Sequence, residues 1–594
     1  MPSKTVTAPA RRPGGALRSD GVSWRLRMGQ QIPLRDGLSL HANLYLPEGD
    51  GPFLTLLQLT PYTAESAHTW AARFAAQGFA FVVVNCRGRG GSQGQFEPFE
   101  TDGEDGCDAV QWAAAQPWCD GRVVMTGGSY AGFTQWATAR HRPAGLAAIT
   151  PIAAVYPGWD FPAMGGITAS YSVRWLSVFG SSSGSEAILG DAAMWTALQR
   201  DAVLNHRGLD TVAEVLGPRA STWHRWQQHP MRDDYWRSLV PSAAQYAAIR
   251  IPVLTVTGQY DGDQPGALAY RSQHLRHAGH DTRHDLLCGP WDHGGTRWPR
   301  REVFGLRFGA ASVIDMPLFI GRWIRHVLDD GPRPPQLPQR VSAYLQGAER
   351  WVYGEALESL LRPVDDLHLS APRGTGLSVR RPAALLSSPP AAHEAGFVRN
   401  PLDVREALLE LKQDRGLIGG HASAALRGTG LVFESAPLQK PFVVAGRPVL
   451  EVCLMLDRPD ADFLVWFEEV RADGVQVMLG RDKLRARHRL GVGRSDLARP
   501  GQALVLRFPR ANWLAVQLRK GSRLRVVLAG LVSSQHERNP HGPDAVATSD
   551  LREGKPVRVT LRLGADPPCR LRFELSASEI DDDDRHIAAL NSRS

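Results

Sequence analysis

Lysine is almost missing from this sequence. Of 68 basic residues in 594 only six are lysine (positions 4, 412, 440, 483, 520 and 555), and the arginines are scattered among 60 acidic residues. A net charge of +8 over this length builds no basic stripe with interleaved aromatics, so no nucleic-acid partner is expected. Cysteine is sparse too. The six (86, 107, 119, 288, 453 and 569) are widely separated and form no CxxC pair, which argues against a structural zinc site or a disulfide framework. Long apolar runs are also lacking: nothing approaches the roughly 18 uncharged apolar residues of a membrane-spanning helix. Arg11 and Arg12 are not followed by the apolar segment that an export leader would need. The expectation is a cytoplasmic protein with no membrane partner and an N-terminal tail over residues 1–30.

What is present is an ordinary globular composition, 43% hydrophobic and 22% charged, which excludes disorder, collagen and coiled coil as the main state. The length allows roughly three to four domains. Strand-like runs at 54–60, 79–85, 123–126 and 146–150 alternate with helical periods at 66–77, 105–115 and 130–141. Such βαβα alternation predicts a mostly parallel sheet covered on both faces. The pattern lapses over 152–243 and resumes with strands at 251–257 and 285–288 and a helix at 311–328. A Pro-rich stretch at 329–338 then marks a boundary. Beyond it the period is two, as in Val557, Val559, Leu561 and Leu563 or Leu571 and Phe573, which predicts half-buried antiparallel strands. The expected architecture is an α/β domain (31–151 and 244–330) with an inserted helical cap (152–243), then an all-β jelly roll or sandwich (339–578) and an acidic tail (579–594).

The sharpest local motif is Gly127-Gly128-Ser129-Tyr130-Ala131-Gly132, between a strand and a helix. Small residues around a serine at such a turn are what a nucleophile elbow needs, because the serine backbone is strained and its neighbours pass close together. The same residues would serve a connector that only packs. Ser129 would project from the sheet edge, with the Tyr130 amide at a helix N-terminus facing a developing oxyanion. A serine needs a base, and the base an orienting acid. In the order Ser, acid, His, the loops after later strands offer Asp261 in Gly258-Gln259-Tyr260-Asp261-Gly262 and His293 in Gly289-Pro290-Trp291-Asp292-His293. Asp263 is a rival acid, and Asp292 a weaker one because adjacent side chains rarely face each other. Tyr62, after an early strand, could supply a second oxyanion donor or simply pack under the sheet edge. The loop Arg87 to Gly94 lacks the Lys-Ser/Thr pair of a phosphate loop and reads as a tight turn beside the elbow. Six of the 17 tryptophans (159, 175, 195, 223, 226 and 236) fall in the inserted segment, along with Tyr156 and Tyr171, and most should form its core, with one or two left to line a pocket.

Taken together, Arg87-Gly88-Arg89-Gly90, Gln116-Pro117-Trp118, the Gly127–Gly132 motif, Tyr260-Asp261-Gly262, Gly289 to His293 and Arg538-Asn539-Pro540 resemble the serine hydrolases that include bacterial cocaine esterase, α-amino acid ester hydrolases, glutaryl acylases and X-Pro dipeptidyl-peptidases. The resemblance implies an α/β-hydrolase domain, a helical cap and a jelly roll. It implies Ser129 as nucleophile, His293 as base, Asp261 as its partner, and an oxyanion hole from the Tyr62 hydroxyl and the Tyr130 amide. No metal or organic cofactor is implied, and the expected partner is a small ester or amide substrate. An X-Pro dipeptidyl-peptidase is one alternative, and a non-catalytic ligand-binding protein on a hydrolase scaffold is another. Relatives that take an amine-bearing substrate hold it with carboxylates; Asp160, Asp233 and Asp234 are available in the cap. Gln259 stands where similar sequences often carry Trp, which bears on pocket shape.

Overall fold

In the computed structural model, residues 21–576 are described apart from 180–185, 231, 280, 372–381, 412–427, 492 and 565. The acidic tail expected at 579–594 and the first twenty residues lie outside the described residues. Ten strands form one sheet: β1 (Trp24–Pro33), β2 (Ser39–Pro47), β3 (Phe53–Thr60), β4 (Ala80–Asn85), β5 (Cys119–Gly128), β6 (Leu146–Ile152), β7 (Val253–Tyr260), β8 (His284–Asp292), β9 (Val341–Leu345) and β10 (Arg350–Gly354). Their spatial order is β1-β2-β4-β3-β5-β6-β7-β8-β9-β10. From β4 to β9 every neighbouring pair is parallel. The hairpin of β1 and β2 joins antiparallel at one end, and β10 at the other.

The central strands are continuous apolar runs because both faces are covered; all six residues of β4, Ala-Phe-Val-Val-Val-Asn, are buried. Helices α2 (Asp102–Ala114) and α3 (Tyr130–Ala139) cover one face through Val110, Phe133 and Trp136. On the other, α1 (His68–Ala75) and the helix Met316–Leu328 bury Trp70, Phe74, Phe319 and Trp323. Between β6 and β7 the chain leaves the sheet for a series of short helices, among them Ser170–Ser177, Ala192–Leu204 and Ala220–Gln228. All six tryptophans of this insertion are at most 5% exposed, so they do form its core, which is continuous with that of α2 and α3.

Two boundaries differ from the sequence expectation. Residues 24–30, placed in the tail, belong to β1; its side chains are mostly exposed, so no alternation marks it as a strand. The Pro-rich stretch does not end the first sheet, because β9 pairs in parallel with β8 through Leu286↔Val341. Proline there punctuates a loop, and Leu337 within it is buried in the sheet's own core. The C-terminal β domain therefore begins after Gly354. Its ladders are antiparallel apart from Ala383–Leu386 against Gly430–Glu434. Strand Val557–Leu563 alternates as its period requires: Val557, Val559, Leu561 and Leu563 are buried and Arg558 and Arg562 exposed.

The β domain grips the rest of the molecule at two places. Its strand Leu514–Leu518 runs along Gln346, with Gln346 N–H donating to the Ala515 carbonyl (3.0 Å) and Gln517 N–H to the Gln346 carbonyl (2.8 Å). Its segment 535–539 clamps the helical insertion: Arg538 donates to the carbonyls of Ala202 and Arg207, each at 3.0 Å, and Asn539 is held by Asp460 (2.7 Å) and Asp462 (2.8 Å).

Candidate active site

Because β3, β4, β5, β7 and β8 are mutually parallel, the loops leaving their C-terminal ends gather at one edge of the sheet. That edge receives Tyr62 after β3, Arg87–Gly94 after β4, Ser129 after β5, Asp261 after β7 and His293 after β8.

Ser129 has φ 62° and ψ −122°, a conformation that L-residues avoid, directly between Gly128 of β5 and Tyr130 of α3. Its N–H donates to the Ile152 carbonyl (2.9 Å), and its own carbonyl accepts from Gly132 (2.8 Å) and Phe133 (3.1 Å). The flanking glycines leave the room the turn needs. A Cβ on Gly127 would come within 2.8 Å of the Ala131 Cβ, and one on Gly132 within 2.9 Å of the Ala154 Cα. The position after Tyr130 is itself alanine, small enough to fit. As the first amide of α3, Tyr130 N–H has no carbonyl behind it within the helix. The Tyr130 ring is pinned in place, its hydroxyl donating to Asp102 (2.6 Å) and accepting from Phe99 N–H (2.7 Å). Burial pushes Asp102 up to about 7.

His293 Nδ1 lies 2.8 Å from Asp261 Oδ1, and 3.6 Å from Asp263 Oδ2. Of the rival acids, Asp261 therefore makes the direct bond. It is wholly buried, and its oxygens also accept from Thr257 Oγ1 (3.3 Å) and Asp263 N–H (3.1 Å). Asp292 turns away to Arg300 and to Gly295 N–H (2.7 Å). Burial disfavours an imidazolium at His293, but the carboxylates of Asp263 and Asp261 outweigh it and raise its pKa. Asp263 is pushed up to about 6 by burial and by Asp261, against the pull of His293 and Arg297.

The Ser129 hydroxyl sits close enough to Asp263 and to the Tyr62 hydroxyl to favour the ionised form of each. No hydrogen bond joins Ser129 Oγ to His293 among the described residues; Asp263 is the residue that neighbours both. The Tyr62 hydroxyl accepts from Trp175 Nε1 (2.8 Å), so one cap tryptophan reaches the site while the others pack. Arg89, buried in the Arg87–Gly94 loop, donates to the Pro61 carbonyl (3.0 Å) next to Tyr62 and lies over the Phe179 ring. That loop is thus a prop for Tyr62.

Of the three cap acids weighed in the sequence, one comes near the site. Asp160 packs against Gly266, one oxygen accepting from Tyr156 N–H (2.8 Å) and the other without a partner of hydrogen-bonding geometry. Burial and Asp263 hold its pKa well above the usual carboxylate range. The other two acids weighed in the insertion face elsewhere: Asp233 caps the helix Asp234–Ser238 and pairs with His229 (2.6 Å), and Asp234 pairs with Arg237 (3.2 Å). From the β domain, Asn512 Nδ2 donates to the carbonyls of Asp261 (2.8 Å) and Gln259 (3.1 Å). The Gln259 side chain, where a Trp is common in similar sequences, bonds Tyr344, Ala515 and Gln346 instead. The contacts with Asn512 and Ala515 span some 250 positions and those with Tyr344 and Gln346 some 85, and no local pattern announces them.

Known proteins resemble this chain in sequence and in fold. The sequence profile of the X-Pro dipeptidyl-peptidase (S15) family matches residues 36–295, and that of the X-Pro dipeptidyl-peptidase C-terminal non-catalytic domain matches 337–555. Cocaine esterase from Rhodococcus sp. (strain MB1 Bresler) is 33% identical over 347 residues, which is 54% of this chain and 58% of that protein. An aminopeptidase structure from a marine sediment archaeon, Thaumarchaeota archaeon, superimposes with a TM-score of 0.77 at 22% identity, covering 96% of this chain and 99% of the other. An α-amino acid ester hydrolase does so with 0.75 at 19%, covering 95% and 98%. Fold and matches together define an enzyme of the serine hydrolase class, with an α/β-hydrolase domain and a C-terminal β domain. Within that class, the chain belongs to the family of X-Pro dipeptidyl-peptidases (S15) and cocaine esterase. Among the described residues no helix is long and apolar enough to cross a membrane.

Proposed function

We propose that this protein hydrolyses an ester or amide bond of a small acyl substrate through an acyl-enzyme on Ser129. His293 takes the serine proton and passes it to the leaving group, Asp261 orients the imidazole and stabilises its charged form, and the Tyr130 amide with the Tyr62 hydroxyl receives the oxyanion. The observation that carries this reading is the 2.8 Å contact of His293 Nδ1 with a wholly buried Asp261, on the same sheet edge as a serine held at φ 62°. The mechanism requires Ser129 Oγ to turn from Asp263 to His293 Nε2, and such contacts are often loose before substrate binds. The same machinery serves an amide, an X-Pro peptide bond included, because His293 can protonate a departing amine. The C-terminal domain is read as a jelly roll, which the largely antiparallel ladders support.

Ser129→Ala should lower kcat by about a million-fold on a panel of p-nitrophenyl esters and X-Pro anilides. Substantial residual turnover would refute the assignment. A protein that only binds ligands would turn over none of the panel even with Ser129 in place.

A second feature narrows the acyl group. Asp160 and Asp263 are partly buried carboxylates whose pKa values are both raised, that of Asp160 in part by Asp263, and a cation between them would relieve both. This favours a substrate with an amine near the scissile carbonyl, as the names of the structurally similar aminopeptidase and amino acid ester hydrolase suggest. Aminoacyl esters should then have a higher kcat/KM than their N-acetylated forms, and equal values would remove the amine from the reading.

A further inference from the structure

Beside the nucleophile stands a cation that the proton relay does not use. Arg297 follows His293 by four residues, in a turn closed by Thr296 Oγ1 donating to the His293 carbonyl (2.7 Å) and by Arg297 N–H donating to the Gly294 carbonyl (3.2 Å). Its side chain lies across Gly128, the residue before Ser129. A Cβ there would fall 2.2 Å from Arg297 Nη1 and 2.9 Å from its Cδ, so glycine is what admits the guanidinium. Among the described residues that guanidinium makes no hydrogen bond or ion pair, whereas Arg300, three residues on, is tied to Asp292. Its charge nonetheless acts on the site, favouring the ionised forms of Tyr62 and Asp263 and opposing the proton on His293. Two exposed aromatics adjoin it. Trp298 is the next residue, 44% exposed, and Tyr171, 53% exposed, is close enough to feel the same charge.

A partly buried arginine with no acceptor among the described residues forgoes the bidentate bonds its planar fork is suited to. The partner that completes it is an anion brought in from outside. Its side of the scissile bond follows from the reaction proposed above, on which this inference rests. The leaving atom takes its proton from His293, so the departing fragment lies along the His293 loop, and Arg297 is carried by that loop. We propose that Arg297 binds a carboxylate on the leaving portion of the substrate. The substrate class is then esters or amides whose departing alcohol or amine bears an acid group, such as the C-terminal residue of a short peptide.

The test is a matched pair of acetate esters, 3-acetoxybenzoate and its methyl ester, which share the acyl group and the aryl ring and differ in the charge of the leaving phenol. The ratio of their kcat/KM values is compared between native protein and variants, which cancels any common effect on the relay. Arg297→Met should lower the ratio by about tenfold, chiefly through KM of the charged ester, and Arg297→Lys should recover part of it. Gly128→Ala should move the ratio the same way, because the new methyl group displaces the guanidinium while its backbone φ remains one that alanine adopts. A ratio unchanged by Arg297→Met would overturn the proposal. So would a loss seen only for a carboxylate on the acyl side, tested with p-nitrophenyl hemisuccinate against its methyl ester. If native protein hydrolyses none of these esters or the peptide substrates, the hydrolase reading has failed; if it hydrolyses them with no response to Arg297, only the anion site has.

Discussion

Ser129 pays for its position: a non-glycine residue at φ 62° costs on the order of 1–3 kcal/mol, and the surrounding turn must over-determine it. The neighbours that do so are unequal in chemical role. If Tyr62 donates to the oxyanion, Tyr62→Phe should lower kcat about a hundred- to a thousand-fold with little change in KM; an unchanged rate would show that this hydroxyl only packs on Trp175. Asp263 acts on the base. It favours the imidazolium of His293, so Asp263→Asn should move the acidic limb of the kcat/KM profile to lower pH, since less proton affinity means His293 becomes a free base earlier. A limb that stays put would mean that Asp261 alone sets the titration. Asp102 allows a check on stability. Its folded pKa, about 7, is above the usual 3.8, so folding takes up a proton and stability falls as pH rises from about 4 through about 7. Asp102→Asn should lack that loss, and denaturation midpoints across this window should diverge in favour of the variant. Parallel curves would show that Asp102 does not titrate there.

At the level of elements, the chain is most readable where both physical cues agree. Strands β3 to β8 and helices α1 to α3 fall within a few residues of their sequence ranges, because a sheet covered on both faces leaves uninterrupted apolar runs between helical periods. β1 escaped because an exposed edge strand has no burial pattern to leave, and β9 because a proline-rich loop resembles a domain boundary. Ser129, Asp261 and His293 were legible for the same reason as the sheet: each follows a recognisable strand, and chain order does the rest. The elbow also makes a packing prediction. Gly132→Ala would press a methyl group to 2.9 Å from the Ala154 backbone, which cannot yield as a flexible side chain can, and should destabilise by about 1–3 kcal/mol in urea titrations. A neutral substitution would show that α3 shifts freely over β6.

Across the whole molecule, the β domain packs against the loop that carries Asp261. Asn512 holds two carbonyls of the acid loop, and Trp513 N–H (2.6 Å) and carbonyl (2.9 Å) clasp Gln264 one turn on. These residues were invisible in the sequence because a contact across 250 positions exists only after two domains dock. Asn512→Leu leaves both carbonyls without their donor and should cut kcat about tenfold or more through misplacement of Asp261, whereas an effect confined to thermal stability would make Asn512 a structural tie only. The central claim, that Ser129 is the nucleophile activated by His293, is tested most directly by reaction with a fluorophosphonate followed by peptide mass spectrometry. A single adduct on Ser129, formed far more slowly in His293→Ala, is the result expected. Absence of an adduct, or one on another residue at native rate, would contradict it.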